Sequence, residues 1–393
     1  MQVLLVSGHY LHSKRQAGFH FLADAYWRRG ATTIFLTTGL SWLSVLRRDY
    51  RLAYPVRAEA NRLRWARERL GSYVWFTRWH PANLRLALLN RLTRGLFTRY
   101  GELPLGEAEA LVRDTDLMIF ESTPGLLLFE RFKRLNPRAR CVYRVSDDLG
   151  LLRNHPVVRE AEQRFAPRFD LISTPCEYIH RRFQHLPQAA LHYHGLAKDL
   201  FDRDYPNPYC GGGEVNLLFV GGSYCDVDFI ERASRRFPNW AFHVIGPIAH
   251  LPRRDNVIAY GEMPFVDTIG YVKHADVGLQ TRSYTPGAES LTDSLKTIQY
   301  TYCRLPIVAP EFLRTPKSLS PNPCGTGFQP VDSEGLGIGS KPNRFYYRPG
   351  DTESIRQALT DALAFDRRRI DTSDIRTWDE LATCLANVPQ GPS

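Results

Sequence analysis

The sequence predicts an α/β protein with two Rossmann-like parallel-sheet domains that face a central cleft, and three observations lead to this prediction. Short apolar segments alternate with segments of helical spacing from residue 3 to residue 173. Residues 204–213, rich in Pro and Gly, then interrupt every regular pattern. A second alternating set follows and runs to residue 309. Two such sets joined by one linker are typical of paired nucleotide-binding folds with a cleft between them.

The first half opens with the strand–helix–strand order of a parallel sheet. Val3–Val6 is a short buried strand that ends in a Ser-Gly-His turn, residues 19–27 have helical spacing, and Thr32–Thr37 is β-branched. The later predicted strands are residues 117–120, 141–144 and 171–173, and the later predicted helices are 124–135 and 156–165.

The second half repeats this order. Its predicted strands are residues 215–220, 241–245, 257–260, 277–280 and 306–309, and its predicted helices are 227–236, 268–274 and 294–303. The domains are therefore predicted at residues 1–205 and 206–365, with a C-terminal tail or helix at 366–393 that could return to the first domain. Residues 321–342, rich in Gly and Pro, are predicted to be an insertion outside the core.

The 393 residues are 43% hydrophobic and 23% charged, which is the composition of a globular protein. Collagenous, coiled-coil and wholly disordered chains are excluded. The longest apolar runs fall far short of the roughly 20 residues of a membrane-spanning helix. The first residues show no signal-peptide pattern, so we expect a cytoplasmic protein. The seven cysteines lack zinc-type spacing, and we expect free thiols and no metal site.

The positive charge is concentrated at the front of the chain. Residues 1–100 hold 17 of the 51 Lys and Arg residues but only four of the 41 acidic residues. Between Arg47 and Arg99 the arginines alternate with aromatic residues and leucines, which suits a surface that meets phosphates beside apolar groups. Three interpretations stay open: an Arg-rich face over a core, attachment to an anionic membrane surface, and nucleic-acid binding. No nucleic-acid-binding motif accompanies the charge, so we expect no nucleic acid as partner.

A glycine-rich turn follows the first strand of the second half. Gly221, Gly222 and Ser223 stand between a buried strand and a helix, where backbone N–H groups and a helix N-terminus could bind a phosphate. Glycine also serves any tight strand-to-helix turn, so both interpretations stay open. Neither the G-x-G-x-x-G pattern nor the Walker A pattern is present, which disfavours NAD chemistry and ATP hydrolysis.

The segment Ser290–Tyr300 predicts an anion site at the start of a helix. One of residues 292–294 can cap the helix, and Lys296 lies in its first turn with Gln299 on about the same face. A lysine there is unfavourable to the helix dipole, so a diphosphate or a carboxylate would relieve it. The alternative is a solvated lysine.

Polar residues also follow three strands of the first half. Asp147 and Asp148 come after a predicted strand, at the carboxyl end where α/β clefts form. One of these two carboxylates could act as a general base, and a helix cap is the alternative. His9, Glu121 and Ser122 follow two further strands and would face the same cleft.

Several motifs occur together in the order found in one family of glycosyltransferases. They are Val142–Asp147, Phe242–Gly246, Asp255–Met263, Thr268–Ala275 and Ser294–Tyr300, together with His20-Phe21 and Phe120–Ser122. From about residue 3 to about residue 350, the sequence closely resembles the GumK-like glucuronosyltransferases of xanthan-type exopolysaccharide biosynthesis.

The resemblance implies a GT-B fold, with a membrane-facing N-terminal domain that binds the acceptor and a C-terminal domain that binds the UDP-sugar. It implies inverting transfer of glucuronic acid from UDP-glucuronate to a polyprenyl-diphosphate-linked oligosaccharide, without a metal or another cofactor. The protein would then associate peripherally with the inner face of the bacterial plasma membrane. We also expect a monomer.

The resemblance also implies roles for individual residues. The family's catalytic aspartate, in a Ser-Asp-Gly motif, falls on Asp147, although Asp148 here replaces the glycine. The family's uracil-binding segment falls on Gly261, Glu262 and Met263.

The family's nucleotide motif falls on Ser294, Leu295, Lys296 and Gln299, with leucine in place of methionine. The family's Ala-Pro-Tyr, whose tyrosine touches the diphosphate, aligns with residues that end in Arg282, and Tyr284 is close by. Three alternatives stay open: a GT-B enzyme that uses another UDP-sugar, a nucleotide-sugar epimerase, and a non-catalytic membrane or nucleic-acid binding protein.

Overall fold

The computed structural model describes residues 1–14, 16–152, 154–209, 214–222, 224–314 and 343–387. Ser223 and the predicted insertion at 321–342 lie outside these residues. The chain divides into two compact units, Met1–Gly195 with Trp378–Ser393, and Leu196–Thr377. The predicted α/β fold with two parallel-sheet domains is confirmed.

The first unit contains an eight-stranded sheet. Its strands are β1 (Gln2–Ser7), β2 (Thr32–Ser41), β3 (Leu63–Arg67), β4 (Leu70–Thr77), β5 (Leu117–Glu121), β6 (Arg140–Arg144), β7 (Leu171–Thr174) and β8 (Ala189–Leu191). They lie in the order β3-β4-β2-β1-β5-β6-β7-β8, and every neighbouring pair is parallel except β3 and β4. The central strands β1 and β5 are buried along nearly their whole length, as continuous apolar runs predict.

The helices of this unit connect the strands. They are α1 (Gly18–Arg28), α2 (Trp42–Leu46), α3 (Ala87–Thr98), α4 (Ala108–Arg113), α5 (Phe129–Leu135), α6 (Pro156–Phe165) and α7 (Glu177–Phe183). The segment predicted as one helix at 124–135 begins as a 3-10 helix, Pro124–Leu128, and becomes α-helical only in α5.

The Arg-rich front of the chain contributes to the sheet as well as to the surface. Tyr73 and Trp75 of β4 are fully buried, whereas most of β3 is exposed. The antiparallel pair of β3 and β4 is absent from the sequence prediction, because the arginines around it mask the apolar run of β4. The Arg-rich segment therefore contributes buried residues to the sheet as well as exposed residues to the surface.

The second unit contains a six-stranded sheet that is parallel throughout its described pairs. Its strands are β9 (Val215–Val220), β10 (Trp240–Ile245), β11 (Val257–Gly261), β12 (Val277–Leu279), β13 (Ile307–Pro310) and β14 (Arg344–Tyr347), in the order β11-β10-β9-β12-β13-β14. The helices are α8 (Lys198–Phe201), α9 (Val227–Arg236), α10 (Phe265–His274), α11 (Leu295–Tyr302) and α12 (Thr352–Ala364).

The second unit begins before the predicted domain boundary after residue 205. Leu196 and Phe201 are buried in its core together with Ile269 and Tyr300. The Leu196 N–H donates to the Arg376 carbonyl at 2.8 Å, which ties the first residue of the unit to its end.

The C-terminal helix α13 (Trp378–Ala386) belongs to the first unit. It packs on α1, where Trp378 stacks on Phe21 with ring centroids 5.3 Å apart. The Tyr26 hydroxyl donates to the Ala382 carbonyl at 2.9 Å. In the part of the chain that the structure describes, no helix is both long and apolar enough to span a bilayer.

Candidate active site

Three neighbouring strands of the first unit carry polar residues at the same edge. β1, β5 and β6 are adjacent and parallel, so their carboxyl ends lie together. Ser7 ends β1 and Glu121 ends β5, while Asp147 follows β6 after two residues. The sheet order therefore brings the predicted acceptor-side residues to one edge.

Glu121 is a buried carboxylate with several donors. Its Oε2 accepts hydrogen bonds from the Ser7 hydroxyl at 2.6 Å and from the Gly8 N–H at 3.1 Å. Its Oε1 lies 3.5 Å from Nε2 of His9. Burial opposes the charged form of Glu121, but the charge of His9 and these hydrogen bonds outweigh it, so the pKa is lowered. Glu121 is therefore ionised, and its carboxylate is held by the turn of residues 7–9.

His9 faces two carboxylates. Burial alone would lower its pKa, but the charges of Glu121 and Asp147 outweigh burial and the opposing charge of Arg51, and the pKa is raised. The side chain is still 33% exposed, so it remains accessible from solvent. His9 and Asp147 thus belong to one electrostatic cluster.

The two adjacent aspartates have different surroundings. Asp148 Oδ1 lies 2.9 Å from the Arg182 guanidinium and accepts the Gly150 N–H at 2.8 Å. Arg182 also pairs with the buried Glu162 at 2.8 Å. Asp148 is therefore held in an ion network, whereas Asp147 is half-buried and close enough to His9 for its charge to act on that imidazole.

Ser122 lies in the interior of the first unit. Its side chain is buried, and its hydroxyl lies 3.2 Å from the Tyr143 hydroxyl. Tyr143 in turn donates to Glu162 at 2.5 Å, which links Ser122 to the network of Asp148 and Arg182. The sequence pattern places Ser122 at the end of a strand, but it does not show that the Ser122 side chain points into the core.

Three strand ends of the second unit meet at glycines. The Gly221 N–H donates to the Ile245 carbonyl at 2.9 Å, and the Gly246 N–H donates to the Gly261 carbonyl at 2.7 Å. Gly246 has a φ of +137°, and a Cβ there would lie 1.9 Å from the Gly221 carbonyl oxygen. Only glycine fits at this contact. Gly246 was not among the predicted site residues, although its place after a strand was visible in the sequence.

The helix after this turn, α9, has the bounds that the sequence predicts. α9 starts at Val227 and is capped by Asp226, whose carboxylate accepts the Phe229 N–H at 3.1 Å. Gly221 and Gly222 thus lie in a turn several residues before the helix, and the Gly221 N–H is already bonded to the Ile245 carbonyl.

Lys296 lies beside the glycine turn. Its Nζ is 4.0 Å from the centre of the Phe219 ring, and a Cβ on Gly221 would be 3.3 Å from the same Nζ. Burial, followed by the charge of Arg282, lowers the pKa of Lys296 well below its usual range. An anion at the turn would reverse this effect, because it stabilises the charged ammonium. The alternative of a solvated lysine is excluded by this burial.

Arg282 follows the end of β12, and its charge acts on Lys296. The Ser283 N–H donates to the Tyr224 carbonyl at 3.0 Å, and the Ser283 hydroxyl donates to the Cys225 carbonyl at 3.3 Å. The Arg282 side chain is buried. Tyr284, by contrast, is exposed and contacts only the edge of the Phe312 ring among its described aromatic neighbours, with centroids 5.2 Å apart.

The remaining predicted donor residues lie around this turn and at the start of α11. Ser294 occupies the N-cap position, and its hydroxyl lies 2.9 Å from that of Thr297. Leu295 is partly buried and Gln299 is buried. Gly261 and Glu262 are exposed at the end of β11, and Met263 packs against the core of the unit.

A buried ion pair braces the start of α11. Arg344 of β14 lies 2.7 Å from Asp293, and both side chains are almost fully buried. The sequence suggests only a capping role for Asp293, since no local pattern connects it to an arginine far along the chain. Among the residues that the structure describes, no group of three or more His, Cys, Asp or Glu side chains could hold a metal ion.

The fold and the relatives of this chain define the class of protein, which is a glycosyltransferase of the GT-B fold. One similar solved structure is sucrose-phosphate synthase from Thermosynechococcus elongatus, with a TM-score of 0.59 and 12% identity over 98% of this chain and 95% of that chain. Another is Anabaena HepE in complex with UDP and glucose, with a TM-score of 0.58 and 12% identity over 98% of both chains. These likenesses establish the fold.

The sequence places the chain more narrowly. Residues 5–175 match the family model described as glucuronosyltransferase GumK, N-terminal domain. The chain is also 31% identical, over 369 residues, to the UDP-glucuronate:glycolipid 2-beta-glucuronosyltransferase of Xanthomonas campestris pv. campestris. This alignment covers 93% of this chain and 85% of the Xanthomonas protein. The chain belongs to the GumK glucuronosyltransferase family. The resemblance in the motifs is thereby confirmed, and the roles of single residues stay predictions.

Proposed function

We propose that this protein is an inverting, metal-independent glucuronosyltransferase that uses UDP-glucuronate and a polyprenyl-diphosphate-linked oligosaccharide. The observation that carries the proposal is the buried Lys296 beside the glycine turn at Gly221, with the buried Arg282 near enough for its charge to act on that lysine. The Xanthomonas relative, which is named for UDP-glucuronate and a glycolipid, supports the choice of donor and acceptor.

The second unit would bind the donor. A diphosphate at the glycine turn would accept backbone N–H bonds and lie beside Lys296, where burial makes charge pairing strong. Arg282 is a planar fork that can hold either a phosphate or the carboxylate of a uronic acid. These cations would stabilise the negative charge that develops on departing UDP, the role that a metal ion plays in other transferases.

The first unit would bind the acceptor and supply the base. Asp147 takes the proton of the acceptor hydroxyl as that oxygen attacks the anomeric carbon from the face opposite UDP. The bond from the anomeric carbon to the diphosphate oxygen breaks, and UDP leaves with the electron pair. One displacement of this kind inverts the anomeric configuration.

Donor titrations test the proposal. In calorimetry with EDTA present, we expect UDP-glucuronate to bind at least about tenfold more tightly than UDP-glucose. The reason is that a charge-assisted pair between the glucuronate carboxylate and Arg282 contributes about 1.4 kcal/mol or more. NAD should not bind. Arg282→Leu should bring the two UDP-sugars to similar affinity.

Three other outcomes would change the conclusion. Tight UDP binding without preference for glucuronate would keep the fold and mechanism but point to another UDP-sugar. Absence of binding by every uridine nucleotide would contradict the enzyme proposal. Conversion of the donor without any acceptor would identify an epimerase.

We further propose that the first unit attaches to the cytoplasmic face of the membrane through α3. Leu88, Leu92 and Leu96 follow one another at four-residue spacing on this helix and are 66%, 71% and 47% exposed. Arg91 and Arg99 lie beside them on the exposed surface. Apolar side chains flanked by arginines favour a helix that lies in the interface of an anionic bilayer.

Vesicle binding tests this attachment. We expect the double variant Leu88→Ser/Leu92→Ser to bind vesicles of phosphatidylglycerol and phosphatidylcholine at least tenfold more weakly, since burying one leucine contributes roughly 1.5–3 kcal/mol. Leu363→Ser changes a leucine that is 40% exposed on α12 of the second unit, and this control should bind as the wild type does. Equal binding by the double variant and the wild type would overturn the assignment of α3.

A further inference from the structure

His9 occupies a position that the proposed mechanism does not yet use. Its imidazole lies 3.5 Å from the buried Glu121, at the sheet edge that also carries Asp147. The His9 N–H of the main chain donates to the Ser7 hydroxyl oxygen at 3.0 Å, and that hydroxyl donates to Glu121 at 2.6 Å. The turn 7–9 is thus wrapped around one carboxylate.

A buried ionised carboxylate needs a positive partner nearby. Arg51 is near, but its guanidinium pairs with Asp49 at 2.8 Å and donates to the carbonyls of Gly8 at 2.7 Å and Gly39 at 2.8 Å. Arg51 therefore braces the ends of β1 and β2. Its main partners are Asp49 and the backbone rather than Glu121.

His20 is the other basic group next to this cluster, with its ring centroid 5.6 Å from that of His9. Burial, followed by the charge of His9, lowers the pKa of His20 to about 4. The neutral ring accepts the Ala17 N–H at 3.0 Å through Nδ1, which leaves Nε2 to donate to the Tyr10 carbonyl at 2.9 Å. His20 is neutral, and both of its ring nitrogens already have hydrogen-bond partners. His9 is therefore the residue that carries the positive charge beside Glu121.

We infer that His9, anchored to Glu121, is the positioning residue of Asp147 and presents a positive charge that orients this carboxylate toward the acceptor hydroxyl. The inference rests on the proposed function, because Asp147 is the base of that reaction.

The arrangement predicts a pH dependence with a defined sign. The groups that face His9 are Glu121 and Asp147, which raise its pKa, Arg51, which lowers it, and the neutral His20. His9 is therefore charged below this raised pKa and loses its charge as pH rises through it. Transfer should decline over the same range on the alkaline side.

Two measurements test the inference. In pH profiles of kcat, the wild type should show an alkaline decline above the ordinary pKa of histidine. His9→Gln should lose that inflection, with kcat about tenfold lower at neutral pH and an unchanged KM for the donor. His12→Gln, an exposed histidine of the same loop, is the matched control and should keep the wild-type profile.

NMR titration of the His9 imidazole supplies a readout that does not need transfer. Asp147→Asn should lower the pKa of His9, and Glu121→Gln should lower it more, because Glu121 is its larger partner. The inference would be overturned if His9→Gln kept the alkaline decline of kcat. It would also be overturned if the pKa of His9 were the same in Asp147→Asn as in the wild type. If the wild type transfers no sugar, the proposed function fails, and the NMR coupling then decides whether the cluster itself exists.

Discussion

Asp147→Asn should abolish sugar transfer while UDP binding stays near that of the wild type. An amide cannot take the proton of the acceptor hydroxyl, and a positioned general base contributes about 10²–10⁴-fold to the rate. The variant nearly preserves the size of the side chain, so the loop should keep its course. Transfer of labelled glucuronic acid to the lipid-linked acceptor measures the first effect, and calorimetry with UDP measures the second.

Asp148→Asn is the matched control for this variant, because it removes a neighbouring carboxylate that is engaged with Arg182 and Gly150. We expect it to keep transfer within about tenfold of the wild type, since an amide oxygen still accepts from both groups. If Asp147→Asn kept most of the activity and Asp148→Asn lost it, the base would be Asp148. Loss in neither variant would direct attention to Glu121.

Lys296→Ala should weaken UDP-glucuronate binding and reduce transfer by about 100-fold or more. Removing one well-aimed donor at a developing negative charge costs about 3 kcal/mol, and the buried Nζ next to Gly221 is such a donor in the proposed reaction. Calorimetry of donor binding and kcat at saturating acceptor check the two parts of this prediction.

Lys198→Ala is the control, because Lys198 belongs to the same unit but lies over the Tyr302 ring, away from the glycine turn. It should bind the donor as the wild type does. Wild-type affinity in Lys296→Ala would contradict the donor site at α11. Equal losses in both lysine variants would show a general effect of charge rather than a site.

The ion network around Asp148 bears on the departure from the family motif. Asp148 replaces a glycine in that motif, and in this chain its carboxylate joins Arg182 of α7 and, through it, Glu162 of α6. The loop that carries Asp147 is thus tied to two helices by charge. Nothing in the sequence near Asp148 points to Arg182, because the pairing depends on how α6 and α7 pack after folding.

Much of the fold was predictable because strands and helices leave local patterns. The apolar run Val3–Val6 predicts β1, and the turn at Gly221 marks the end of β9. The antiparallel pair β3 and β4 was missed since arginines interrupt the apolar pattern of β3 and flank β4.

The sequence by itself determined the alternation of strands and helices, the turn glycines and the motifs that name the family, since each is a property of neighbouring residues. Tertiary structure decided which groups meet. Ser7 and Glu121 are 114 residues apart and bond only because β1 and β5 are adjacent. The charge on His9 and the burial of Lys296 follow from contacts of this kind, whose energies depend on distance in space and not on separation along the chain.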